Sequence, residues 1–140
     1  MKRLTTLLFI SLLLASMLHA GDSLYVSVNG SRMRAVLEDN SSAKALAELI
    51  RKSGGSISVD MEDYASFEKV GSLPEALPRN DENITTAPGD IILYLGRRIT
   101  IYYDTNEWSL TRLGRIVSVD ERELRRILGK GNVTVTLSLE

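Results

Sequence analysis

The residues best suited to recognition chemistry lie in the stretch 99–116, ITIYYDTNEWSLTRLGRI, which gathers the chain's only Trp, Trp108, with Tyr102, Tyr103, Arg112 and Arg115. Aromatic faces beside a cationic donor suit a peptide, a ring or an anionic small molecule. Trp108, Tyr102 and Arg112 are therefore candidate ligand-binding residues. The competing reading has Trp108 capping one end of the fold and Arg112 pairing with a surface carboxylate. If the ring is buried, that structural role predicts a loss of about 3–5 kcal/mol on Trp108→Ala. Phe67 and Tyr94 are further candidates for the same surface, against a core or rim packing role for large aromatics.

Much chemistry is excluded by composition. The chain has no Cys, and its single His is His19. A mature chain lacking both builds neither a Ser-His-Asp triad nor a thiolate or imidazole zinc site, so no catalytic residue, metal or cofactor is assigned. The carboxylates Asp60, Glu62 and Asp63 lack the further oxygen donors and the Gly of a calcium loop, and read as a solvated bend. With 44% hydrophobic and 25% charged residues the chain fits one globular domain plus a targeting segment.

The first 20 residues have the order of a secretory signal peptide. Lys2 and Arg3 precede an apolar run over 7–18, and Ala20 stands before Gly21-Asp22. The run is short for a transmembrane span, which needs about 20 apolar residues. The expectation is an exported protein, periplasmic or extracellular, with no stable membrane insertion after cleavage; an uncleaved anchor is the alternative. Removing Lys2 and Arg3 leaves 15 basic against 18 acidic residues, a net charge of −3, which gives no basis for nucleic-acid binding. Export without Cys fits a bacterial envelope protein.

The elements that must position these residues are mostly strands. Leu24, Val26 and Val28 alternate with polar neighbours, Asn29-Gly30 supplies a type I′ turn, and Met33, Ala35 and Leu37 alternate after it. A helix is predicted over 40–53, with Ala43, Leu46, Ala47 and Ile50 on one face, Asn40 or a nearby Ser as cap, and Gly54-Gly55 as stop. Residues 73–90 hold all three prolines and read as an ordered loop anchored by Leu77 and Ile84. Residues 91–95 and the strand from Ile99 are expected to be antiparallel neighbours at the sheet centre. A further strand over 110–116 follows a turn at Trp108, with Gly114 allowing a bulge or close backbone approach. Asp120 caps a second short helix whose Leu124, Ile127 and Leu128 face inward, and Val133, Val135 and Leu137 mark a last strand. Seven or eight strands with two helices indicate a mainly β fold, a closed barrel or sandwich.

Read from Leu24 onward, the chain resembles the cyclophilin-like fold family of small bacterial proteins, which is related to but distinct from true prolyl isomerases. The residues that carry the resemblance include Val26-Ser-Val-Asn-Gly30, Met61-Glu-Asp-Tyr64, Phe67-Glu-Lys-Val-Gly71, Thr85-Thr-Ala-Pro-Gly-Asp-Ile91, Tyr94, Trp108-Ser109 and Arg112-Leu-Gly-Arg-Ile116. The resemblance implies a closed eight-stranded β-barrel capped by two short helices over residues 24–140. It also implies a groove with Trp108 at its rim, and it makes Lys69 the residue standing where true cyclophilins carry a catalytic Arg. The pocket His and the Gln that follows that Arg have no counterpart here. An ammonium does not reproduce the paired donors of a guanidinium. The expectation is therefore a non-catalytic binding module for an unknown peptide or small molecule, with Phe67, Lys69, Tyr94, Tyr102, Trp108 and Arg112 as groove residues. The alternative is a weak peptidyl-prolyl isomerase or folding helper for exported chains.

Overall fold

A computed structural model describes residues 22–140. The signal-peptide assignment and His19 lie outside the described residues. Nine strands and two helices follow in order: β1 (Ser23–Val28), β2 (Ser31–Leu37), α1 (Ser41–Lys52), β3 (Ser56–Tyr64), β4 (Glu68–Ser72), β5 (Glu82–Thr85), β6 (Asp90–Tyr94), β7 (Arg98–Tyr102), β8 (Glu107–Ile116), α2 (Glu121–Leu128) and β9 (Val133–Ser138). The strands run β2-β1-β9-β3-β4-β7-β6-β8, and β2 pairs with β8, so eight strands close into a barrel. Every pairing is antiparallel. Closure removes the unpaired edges an open sheet would leave. β5 is a ninth strand outside the barrel, hydrogen bonded to the first half of β8.

Local sequence chemistry sets the ends of these elements. Asn29 (φ 48°) and Gly30 (φ 83°) both occupy the left-handed region that the β1–β2 turn requires. The Asn40 side chain accepts from the Ala43 N–H at 2.8 Å, and Asp120 accepts from the Glu123 N–H at the same distance. Each satisfies a helix donor that would otherwise lack a partner. The barrel interior is filled by the alternating apolar residues of the strands, and Leu46 and Ile50 of α1 and Leu124 and Ile127 of α2 join the same core.

Three sequence expectations change. The acidic residues Asp60, Glu62 and Asp63 do not form a bend, because β3 continues through them to Tyr64, with Asp60 and Glu62 outward and Asp63 opposite Lys69 of β4. Trp108 is not in a turn but within β8, opposite Ile84 of β5. Residues 73–90 contain a strand, β5, that its mixed composition does not reveal, so the strand total is nine.

Gly114 sits where the barrel closes, opposite Leu37 of β2 and Ile91 of β6, next to a register shift between Ile91 and Ile92. A Cβ there would lie 2.6 Å from the Val36 carbonyl oxygen, which is backbone and cannot rotate away. Gly114→Ala is expected to separate β2 from β8 and to cost about 2–3 kcal/mol, read as a lower urea midpoint.

Candidate functional site

The outward face of the barrel carries a second, smaller apolar cluster. Ile92, Tyr102 and Leu110 form it, with Phe67, Ile84 and Tyr94 packed against them. Antiparallel register explains the convergence: Ile92 stands opposite Thr100, Tyr94 opposite Arg98 and Glu68 opposite Tyr102, so alternate residues of β4, β6 and β7 share one face. A groove of about 320 Å³ opens over this cluster, lined by Tyr64, Phe67, Glu68, Val70, Tyr94, Arg98, Thr100, Tyr102, Asn106, Trp108 and Leu110.

Four of the six sequence candidates, Phe67, Tyr94, Tyr102 and Trp108, meet in this groove. Phe67 stacks on Tyr102 with ring centroids 5.9 Å apart, and Tyr64 meets Phe67 edge-on at 6.3 Å. Such geometries follow the ring quadrupoles and hold the aromatic wall in place. Trp108 is 60% exposed and Tyr64 61%. A ring that exposed does not meet the burial condition of the 3–5 kcal/mol structural role. Trp108→Ala is instead expected to shift stability by under about 1 kcal/mol, as for other surface substitutions, in thermal or urea unfolding.

Lys69 and Arg112 do not reach the groove. Glu68 and Lys69 are both buried, on opposite faces of β4. Lys69 points into the barrel end, where its Nζ lies 2.7 Å from Asp63 Oδ1 and donates to the Gly131 carbonyl at 2.6 Å. Among the described residues the ion-pair partner of Arg112 is not a surface carboxylate but Asp90, a fully buried residue whose Oδ2 lies 3.3 Å from Arg112 Nη2.

The residue the sequence reading missed is Glu68. Its side chain is buried at the groove, within hydrogen-bonding reach of Tyr102 and Thr100, and burial pushes its carboxyl above the ordinary range against those two contacts. Tyr102 is pushed up to about 12, first by its own burial and also by the neighbouring Glu68, while Asn106 donates to its hydroxyl at 3.4 Å and opposes the shift. The available signal was alternation: in Phe67-Glu68-Lys69-Val70 only one of Glu68 and Lys69 can face outward. Among the described residues no cluster of His, Cys, Asp and Glu is placed to hold a metal ion.

The described residues contain no helix long and apolar enough to cross a membrane. A search of solved structures places the fold beside the solution structure of a hypothetical protein from Archaeoglobus fulgidus, with a TM-score of 0.57 and 13% identity over 87% of this chain and 98% of that one. At that identity the likeness concerns the fold. No curated protein matches the chain. The sequence pattern of the cyclophilin-like family matches residues 26–138, from the second half of β1 to the end of β9. The chain thus belongs to the cyclophilin-like family.

Proposed function

We propose that this domain is an exported, non-catalytic binding module that receives a peptide or small-molecule group in the groove beside Trp108. The observation that carries the reading is the pairing of an exposed Trp108 with a preformed aromatic wall of Phe67, Tyr94 and Tyr102. Small-ligand sites are typically mostly apolar clefts of about 300–1,000 Å³ with a few placed polar groups, and this groove is at the lower end of that range. The polar groups are Glu68, Thr100, Asn106 and, at the exposed rim, Arg98.

Prolyl isomerisation needs a barrier of about 18–20 kcal/mol to be lowered, and oriented hydrogen-bond donors supply much of that reduction. Lys69, the cation that the resemblance aligns with the catalytic Arg, donates inside the barrel and presents nothing to a groove ligand. The test is an isomerisation assay on a short proline-containing peptide, run alongside a titration followed by Trp108 fluorescence. The expected result is a fluorescence response without turnover above the spontaneous rate. Turnover that falls on Trp108→Ala would overturn the non-catalytic reading in favour of a weak isomerase.

A further inference from the structure

We propose that the groove recognises an alkylated ammonium group, held on the aromatic faces around Trp108 and countered by the Glu68 carboxylate. The assignment rests on the groove being the binding site and names the chemistry of its occupant. Five aromatic side chains line it, Tyr64, Phe67, Tyr94, Tyr102 and Trp108, and one carboxyl group is set among them. Aromatic faces attract cations through the ring quadrupole, and quaternary ammonium groups are the ligands such arrangements suit best. A purely apolar ligand would leave the buried Glu68, among the described residues, with Tyr102 and Thr100 as its partners and no counter-charge.

Charge complementarity decides between ligand classes. Among the described residues no cation forms a salt bridge with Glu68. The cation–π contacts of the described residues lie elsewhere, Arg32 over Tyr25 and Arg125 over Tyr103, so none of them occupies a groove ring; Phe67 and Tyr102 stack on each other, and Trp108 and Tyr64 are the rings exposed to a ligand. An anionic ligand would meet the Glu68 carboxylate at the floor. The titratable and charged groups that line the groove with Glu68 are Tyr64 from β3, Arg98 and Tyr102 from β7 and Tyr94 from β6, and Tyr103, just after β7, also interacts electrostatically with it. Of these only Arg98 is cationic, and it is solvent-exposed at the rim, where water screens its repulsion of a bound ammonium.

Choline and its neutral carbon isostere, in which a tert-butyl group replaces the trimethylammonium, separate charge from shape. Trp108 reports both titrations as the sole Trp, and two-dimensional NMR of the intact chain locates the responding residues. Choline is expected to bind about tenfold more tightly than the isostere. Glu68→Gln keeps a group able to hydrogen bond Tyr102 and Thr100 and is expected to weaken choline about fivefold or more without changing the isostere. Trp108→Ala, at an exposed position, tests the aromatic face without disturbing the core. Choline affinity is also expected to rise with pH as Glu68 ionises, at a pH above the ordinary carboxylate range because burial raises its pKa. Equal binding of choline and the isostere would overturn the ammonium assignment and retain the groove as an apolar site. Binding of neither would also overturn it, and the proline-peptide titration would then decide the groove on its own.

Discussion

Asp90→Ala is expected to destabilise the domain by about 3–5 kcal/mol, read from the urea midpoint, because removing one partner from a buried charged network leaves the others uncompensated. Asp90 is fully buried at the start of β6, opposite Arg115 of β8. Its carboxylate accepts from Arg115 Nε at 2.6 Å, from Arg112 Nη2 at 3.3 Å and from the Ala87 N–H at 2.9 Å. The three bonds tie the turn before β6 to β8, the strand that carries Trp108. The Asp90 hydrogen bond raises the Arg115 pKa, with burial opposing it. Arg115 is half exposed and can return to water when its partner is lost. Arg112 cannot do so as readily: its side chain is 23% exposed and its buried Nε has no hydrogen-bond partner among the described residues. The cost therefore falls on Arg112 and on the orphaned Ala87 N–H. Arg115→Ala, which leaves Arg112 paired, is expected to cost less than half as much. Comparable losses from the two substitutions would show that the carboxylate is not the centre of the network.

What the sequence made legible is local. Asn29-Gly30 announces its turn, Asn40 and Asp120 announce their caps, and period-two alternation marks the barrel-facing residues of β1, β2, β7 and β9, because each feature depends on residues within a few positions. The family resemblance then supplied barrel closure, which no local pattern contains. Illegible parts depend on distant partners or on backbone phase. β5 has no alternation of its own and exists because β8 offers it a partner. The orientation of β4 follows the turn over 65–67, where Ala65 (φ 52°) and Ser66 (φ 63°) adopt left-handed conformations that those residue types do not advertise. That turn sends Glu68 to the groove and Lys69 to the barrel end, the reverse of what matching Lys69 to a catalytic Arg implies. Alternation could have limited the groove to one of the two, but not chosen between them. Arg112 illustrates the same limit, since a cation's partner is set by tertiary contact and here lies 22 residues away in sequence.

The inverted side chain has its own measurable consequence. Lys69 is fully buried, and Asp63 is its one carboxylate partner among the described residues. Asp63→Ala is expected to cost about 2–4 kcal/mol, somewhat below a fully enclosed pair because Asp63 is about one-third exposed and water can approach the freed ammonium. Lys69→Met removes the charge but fills the space, and the Asp63 carboxylate it abandons retains the Gly131 N–H at 2.7 Å, the Tyr103 hydroxyl at 3.0 Å and solvent. That substitution should therefore cost less than Asp63→Ala. The double variant should recover much of the Asp63→Ala loss, since a buried ion pair replaced by apolar packing is often nearly neutral. Acid provides an independent check. Burial works against the Asp63 carboxylate, but Lys69, Gly131 and Tyr103 together hold its pKa below the ordinary Asp value of 3.8. A depressed folded-state pKa contributes stability that is present above the unfolded value and lost as pH falls through the folded one. Wild-type protein should accordingly lose this contribution below about pH 4, whereas Asp63→Ala lacks it at every pH. A non-additive double-mutant cycle with that acid dependence would mark Lys69 as a residue of the barrel end. Additive losses, or a Lys69→Met variant less stable than Asp63→Ala, would mean that the ammonium is held by something other than Asp63.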